Sequence, residues 1–231
     1  MAVDLFPVVE RDKDRIAVCG FVNRHSSLTL PLRHLTVNII VGTFGGRRQN
    51  PIVLFHKRCS HKDVDPDKLD IAGGHVTLND FFFQGLDWNG PSLIAQASEF
   101  TARREAREEI RAKRPVKFEK EHFHRFQRVG HFHVESVNKS EDGEETYNYE
   151  YSTVYVVVLN PRKRIWFVDE CPKCPALSEA IPLGFGEMRD RFMDRPDQFA
   201  DGSSRILWEL VEHPPLARKL LKLLKTATPR V

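Results

Sequence analysis

The chain has 231 residues, 41% of them hydrophobic and 29% charged, with a formal net charge of +3. That is enough to bury a sizeable core, and so mild a balance gives no reason to invoke nucleic acid, which asks for a local basic stripe. No run of about 18 apolar residues marks a membrane span. The early Asp4 and the lack of an apolar run in "MAVDLFPVVERDKDR" argue against a signal peptide, and the 4 cysteines are too few for a disulfide scaffold. The expectation is a cytoplasmic, reduced protein.

In chain order, "LTVNIIVGTF" (35–44) and "PIVLFHKR" (51–58) are apolar and rich in β-branched residues, and "GGRRQN" between them makes a strand, turn, strand pattern. "KLDIAGGHVTL" reads as a short strand broken by the glycine pair. "DFFFQGLDWNGPS" (80–92) is rich in turn formers and reads as an irregular loop. Pro91 and Ser92 can start a helix that continues to about Lys113, before Pro115. "HRFQRVGHFHVESV" and "YEYSTVYVVVLN" frame a polar connector and predict a hairpin. "IWFV" is a further short strand. "FGEMRDRFMDRP" and "SSRILWELVEHPPLARKLLKLL" have helical spacing, the second interrupted at Pro214 and Pro215. No repeats appear, and the mixed order predicts a single α/β (α+β) domain. Its parts would be an N-terminal strand extension (1–33), a core (34–190) and C-terminal helices (191–231).

The helix near residue 105 sorts its charges. At about 100° per residue, Ala102, Ala106 and Ile110 form a small apolar stripe. Arg103, Arg104, Arg107 and Arg111 fill the next arc, and Glu105, Glu108 and Glu109 the remaining side. A solvated helix laced by Glu–Arg pairs is the plain reading. Sorting by sign speaks against it, because like charges four residues apart cost about 0.2–0.5 kcal/mol even when exposed. A divalent cation resolves the conflict: hard ions take carboxylate and phosphate oxygens. The small Ala102 and Ala106 let the helix lie close to its support, and the bare backbone at Gly73 and Gly74 permits a close approach to a ligand.

"AGGHV" (72–76) followed by "EFTARREAREEI" (99–110) resembles the Nudix box, the strand-loop-helix motif of Nudix hydrolases. Arg104, Glu105, Glu108 and Glu109 match its Arg-Glu-x-x-Glu-Glu core, and Gly73 and Gly74 its glycine pair. The resemblance implies an α/β/α sandwich with a mixed central sheet and Mg2+ or Mn2+ held by Glu105, Glu108 and Glu109. The Gly73 carbonyl would be a further ligand, with Arg104 bracing the glutamates by ion pairing. It implies pyrophosphohydrolase activity on a small-molecule diphosphate such as a nucleoside diphosphate derivative, in a family that often forms homodimers. Glu179 resembles the late acidic residue that serves as base or extra ligand in many members.

The departures are Gln96 where the pattern has its first glutamate, Arg111 where it has its closing glycine, and the insertion "TLNDFFFQGLDWNGPS". Gln96 removes a carboxylate that in the family helps support the loop. If the insertion moves that loop, Asp80 or Asp87 is the candidate supporting acid.

The flanks "PVVERDKDRIAVCGFVNRHSSLTLPLRHLTVNIIV" and "LFHKRCSHKDVDPDKLDIAGGHV" resemble the branch containing isopentenyl diphosphate isomerase and its hydrolase relatives. That likeness puts His34, His75 and Glu150, with His25 a looser match, at isomerase-type metal-ligand positions. Hydrogen-bonded structural histidines and a solvated Glu150 are the plain alternatives. The isomerase cysteine is replaced by Gly73, which offers no acid or base. Three readings result: a Mg2+-dependent hydrolase, a Nudix-fold binding module that hydrolyses little, and, disfavoured by Gly73, an isomerase-like enzyme.

Other features weigh toward plain roles. Cys171 and Cys174 have zinc-like spacing, but Cys19 and Cys59 do not complete the four ligands a structural site needs. His122 with His124, and His131 with His133, share strand faces and read as a polar sheet face before a metal site. Phe81, Phe82, Phe83 and Trp88 read as core cover before a stacking platform. Lys219, Lys222 and Lys225 make the wet face of a packed amphipathic helix.

Overall fold

The computed structural model describes residues 5–12, 15–23, 26, 29–45, 50–62, 65–82, 93–113, 116–117, 123–139, 143, 145–159, 165–169 and 176–225. Strands β1 (Leu5–Asp12), β2 (Arg15–Asn23), β3 (His34–Gly45), β4 (Asn50–Lys57), β5 (Leu69–Asp70) and β6 (Ala72–His75) precede two helices, α1 (Leu78–Phe82) and α2 (Leu93–Glu109). Then come β7 (Ile110–Lys113), β8 (Val116–Lys117), β9 (Phe123–Lys139), β10 (Glu145–Leu159), β11 (Trp166–Asp169), β12 (Ala176–Glu179) and β13 (Ile181–Gly184). Three helices follow: α3 (Phe185–Asp194), α4 (Asp201–Glu212) and α5 (Pro214–Lys225). The class is mixed α+β, with one large sheet and a smaller four-stranded one. Among the described residues no helix is long and apolar enough to cross a membrane.

The chain divides into two compact units, each assembled from three segments. The first comprises Met1–Val37, Gly73–Arg104 and Gly130–Val154. Here β1 and β2 pair antiparallel, with a bulge where Val8 faces Gly20 but Val9 faces Val18, so Cys19 is the extra residue. Val8 faces His34 across to β3, and the Val76 amide donates to the Leu35 carbonyl at 3.0 Å. Phe6, Val8, Leu35, Val37, Val76, Phe81 and Val134 are buried. Ala97, Ser98, Thr101 and Ala102 form the fully buried stripe of α2.

The second unit comprises Asn38–Ala72, Glu105–Val129 and Tyr155–Val231. The later part of β3 pairs antiparallel with β4, and β4 with β13 and β5. Strands β12, β11, β7 and β8 form the four-stranded sheet. Phe55, Phe167, Phe199, Ile206, Leu220 and Leu224 are among the largest fully buried side chains of this unit. At Gly42 a Cβ would lie 2.1 Å from Leu224 Cδ2 of α5, so the end of that leucine would have to move to admit one.

Several expectations are corrected locally. Helix α2 stops at Glu109, not near Lys113, because Ile110 is wholly buried and enters β7 opposite Phe167 of β11. The Arg111 guanidinium donates back to the Arg107 carbonyl, satisfying one acceptor that the helix end leaves open. The glycine pair lies inside β6; the break falls at Ile71. Residues 80–82, expected to open an irregular loop, and Leu78, expected in a strand, are helical instead, because the Asp80 carboxylate accepts from the Thr77 amide at 2.8 Å, the N3-to-N-cap half of a capping box. The paired strands β9 and β10 and the helix break at His213 match the sequence reading, whereas β12 and β13 were not anticipated.

Candidate metal centre

His34 opens β3, His75 closes β6 and Glu150 lies within β10, all in the first unit. One ligand atom from each lies within 4.8 Å of the others. The imidazoles of His34 and His75 are stacked, with ring centroids 5.0 Å apart and planes 19° from parallel. Phe6 covers them, its ring 4.6 Å from that of His75 and 6.4 Å from that of His34. Strand periodicity explains the grouping. His34 and Thr36 share one face of β3, and Thr36 Oγ1 donates to Glu150 Oε2 at 2.8 Å, which orients that carboxylate. His34 Nδ1 lies 3.4 Å from the Leu32 carbonyl. A proton on Nδ1 leaves the buried Nε2 as the lone-pair nitrogen, the usual arrangement of a ligating histidine. His34 is 1% exposed, while His75 and Glu150 are half-buried.

The donor chemistry fits a divalent ion. Two imidazoles and a carboxylate suit Zn2+ or Mn2+ better than Mg2+, which prefers all-oxygen surroundings. The structure therefore joins the three residues that the isomerase-branch resemblance had grouped. Thr36 and Phe6 were missed. Their signals were available, Thr36 two residues from His34 on the same strand face, and Phe6 in register with Val8.

Beside this cluster, Arg104 reaches back from α2. Its Nε lies 3.2 Å from Asp80 Oδ1, and its Nη2 3.3 Å from Asp80 Oδ2 and 3.4 Å from the His75 carbonyl. The guanidinium of Arg104, the residue expected to brace the glutamates, meets a buried aspartate from the insertion. Gln96 is exposed on the same helix. Asp87 lies outside the described residues.

Glu105, Glu108 and Glu109 stand in the last turns of α2, each half-buried, with Ala102 and Ala106 wholly buried behind them. The stripe expected from the helical period is present, and its third member, Ile110, is buried from β7. Gly73 lies in β6, two residues before His75. Glu179 closes β12 opposite Trp166 and is exposed.

Of the remaining candidates, His25, His122, Cys171, Cys174, Phe83 and Trp88 lie outside the described residues, as does the His124 side chain. Phe81 is wholly buried and Phe82 is 61% exposed, which fits cover for the first. His131 stacks on Tyr151 at 5.0 Å and His133 meets the same ring edge-on at 5.1 Å, a polar and aromatic sheet face. Lys219, Lys222 and Lys225 are exposed on α5, while Leu220, Leu223 and Leu224 are buried.

No family model matches the chain, and no curated protein matches it. Among solved structures it is similar to a NUDIX hydrolase from Alicyclobacillus acidocaldarius, at 15% identity and TM-score 0.47, over 79% of this chain and 92% of that one. The NUDIX domain of Shewanella oneidensis NrtR, crystallised with ADP ribose, is similar at 14% identity and TM-score 0.39, over 77% of this chain and 86% of that one. The C. elegans Ap4A hydrolase is similar at 14% identity and TM-score 0.34, over 82% and 97%.

Proposed function

We propose that the chain is a divalent-metal-dependent hydrolase of the Nudix type, cleaving a diphosphate linkage in a small molecule such as a nucleoside diphosphate derivative. The observation that carries this reading is the cluster of His34, His75 and Glu150, built around the strand that also holds Gly73 and Gly74. The Arg-Glu-x-x-Glu-Glu run at residues 104–109 supports it.

His34, His75 and Glu150 would hold one ion, and Glu105, Glu108 and Glu109 supply oxygens of the kind that bind Mg2+ or Mn2+. A bound metal offsets phosphate charge and lowers the pKa of an attacking water. The protein's own contribution is orientation: Thr36 holds Glu150, Phe6 shields the two imidazoles, and Arg104 ties its helix to the end of β6. Gly73 offers no side chain for moving a proton on carbon, which sets the isomerase-like reading aside.

The test is a panel of nucleoside diphosphate derivatives, dinucleoside polyphosphates and isoprenoid diphosphates, assayed with Mg2+ or Mn2+ for release of the phosphorylated fragments of diphosphate cleavage. Release from at least one compound, abolished by EDTA, is expected. Tight binding of a panel member without turnover would instead establish a binding module.

A further inference from the structure

Trp208 on α4 is 43% exposed, and Met193 on α3 is 53% exposed. Among the described residues of the second unit, no other large apolar side chain is exposed. The two belong to adjoining helices: the Trp208 ring meets Phe192, the buried neighbour of Met193, nearly edge-on with centroids 6.1 Å apart. A single exposed aromatic is ordinary on a protein surface, but this one has an ordered setting. At about 100° per residue, Arg205 and Glu212 fall within about 60° of Trp208, opposite the buried stripe of Ser203, Ile206, Leu207 and Leu210. Both are exposed. At a rise of about 1.5 Å per residue, the arginine lies about 4.5 Å before the tryptophan and the glutamate about 6 Å after it. Cation, indole and anion form a row, with opposite charges at nearly equal distances from an apolar centre.

Such a row is complementary to itself. A second α4 laid antiparallel across the first sets each Arg205 against Glu212 of the other copy, with the two indoles between them. A parallel arrangement opposes like charges. We propose that this face of α4 is the docking surface for a second copy of this chain, with Trp208 at the centre of a two-fold interface and Arg205 and Glu212 setting its direction. Tryptophan, methionine and arginine are the side chains that interfaces favour. Burial of the indole carries the affinity, and the charge pairs carry the orientation. The inference is independent of the metal reading, since α3 and α4 lie in the second unit and the histidine cluster in the first.

The experiment is sedimentation equilibrium of the full chain and of Trp208→Ser, Arg205→Glu, Glu212→Arg and the double exchange of Arg205→Glu with Glu212→Arg, each with its melting transition recorded. The parent is expected to dimerise. Trp208→Ser should weaken the dimer about thirtyfold or more, the scale of losing an interface hot spot. Each single reversal opposes like charges on both sides of the two-fold axis and should weaken it about tenfold or more. The double exchange restores opposite signs and should recover most of that loss. A parent that stays monomeric overturns the proposal and leaves the face to a different partner. A dimer of unchanged affinity in Trp208→Ser or in the single reversals overturns it, as does a double exchange no better than either reversal. Should Trp208→Ser fail to fold, because its ring also rests on Phe192, the variants at the exposed Arg205 and Glu212 decide alone.

Discussion

At the scale of single residues, charge at a few positions separates a working site from a decorated helix. Glu109→Gln keeps the size of a half-buried side chain but removes the charge a divalent ion requires. Turnover is expected to fall about a hundredfold or more, beyond the usual cost of losing an outer partner of a ligand, with an unchanged melting transition. Turnover within a few-fold of the parent would make the glutamates a surface feature. Gln96→Glu is expected to be silent, because that side chain is exposed and surface changes stay within about 0.5 kcal/mol; side-by-side rates at fixed Mn2+ check this. Cys19 tests the bulge. Cys19 is exposed, yet partial desolvation of its thiol, followed by the charge of Glu10, raises it above the ordinary range, so alkylation should run slower than for a free thiol at pH 8 and accelerate at higher pH. The grouping of His34, His75 and Glu150 was legible through a family likeness, but the Asp80–Arg104 pair was only half legible. Asp80 stood as one of two candidate acids, and the local capping contact that buries it shows only in three dimensions.

At the scale of elements, long periodic segments were readable and boundaries were not. Helical spacing found α2, α3, α4 and α5, and β-branched runs found β3, β4 and β10, because burial enforces those periods. The switch from α2 to β7 was hidden, since Ile110 fits an apolar helix stripe as well as a strand. Its burial and its place opposite Phe167 decide for the strand. Ile110→Ala should cost about 2–5 kcal/mol, the range for emptying a packed aliphatic site, as read by urea unfolding. Gly42→Ala should destabilise by about 1–3 kcal/mol, the cost of overpacking, because Leu224 occupies the space a Cβ needs. A neutral result would show that α5 shifts freely over β3.

At the scale of the molecule, two compact units interleave along the chain. Element order does not disclose this, because β3, β6, β9, β10 and α2 each pass from one unit into the other with no change of composition to mark the crossing. His34, His75 and Glu150 nevertheless all belong to one unit, so an ion bound there stabilises that folded unit by mass action. At a free concentration near a hundred times its Kd, Mn2+ should add about 2.7 kcal/mol and raise Tm by several degrees in a thermal scan. His75→Ala should lose the rise.

Helix α2 passes straight into β7 with no linker, Glu109 being its last helical residue and Ile110 the first of the strand. Five residues, Glu105 to Glu109, therefore lie between the Arg104 tie to Asp80 and the buried Ile110. With Ile110 buried, the helical backbone just before it has already lost its conformational freedom during folding, about 1–2 kcal/mol per residue. On the proposed function, ion capture by these glutamates would require little further ordering. The same preorganisation makes the segment intolerant of slack: a single glycine inserted after Glu109 should restore motion to the carboxylates and weaken ion binding, although every ligand remains present.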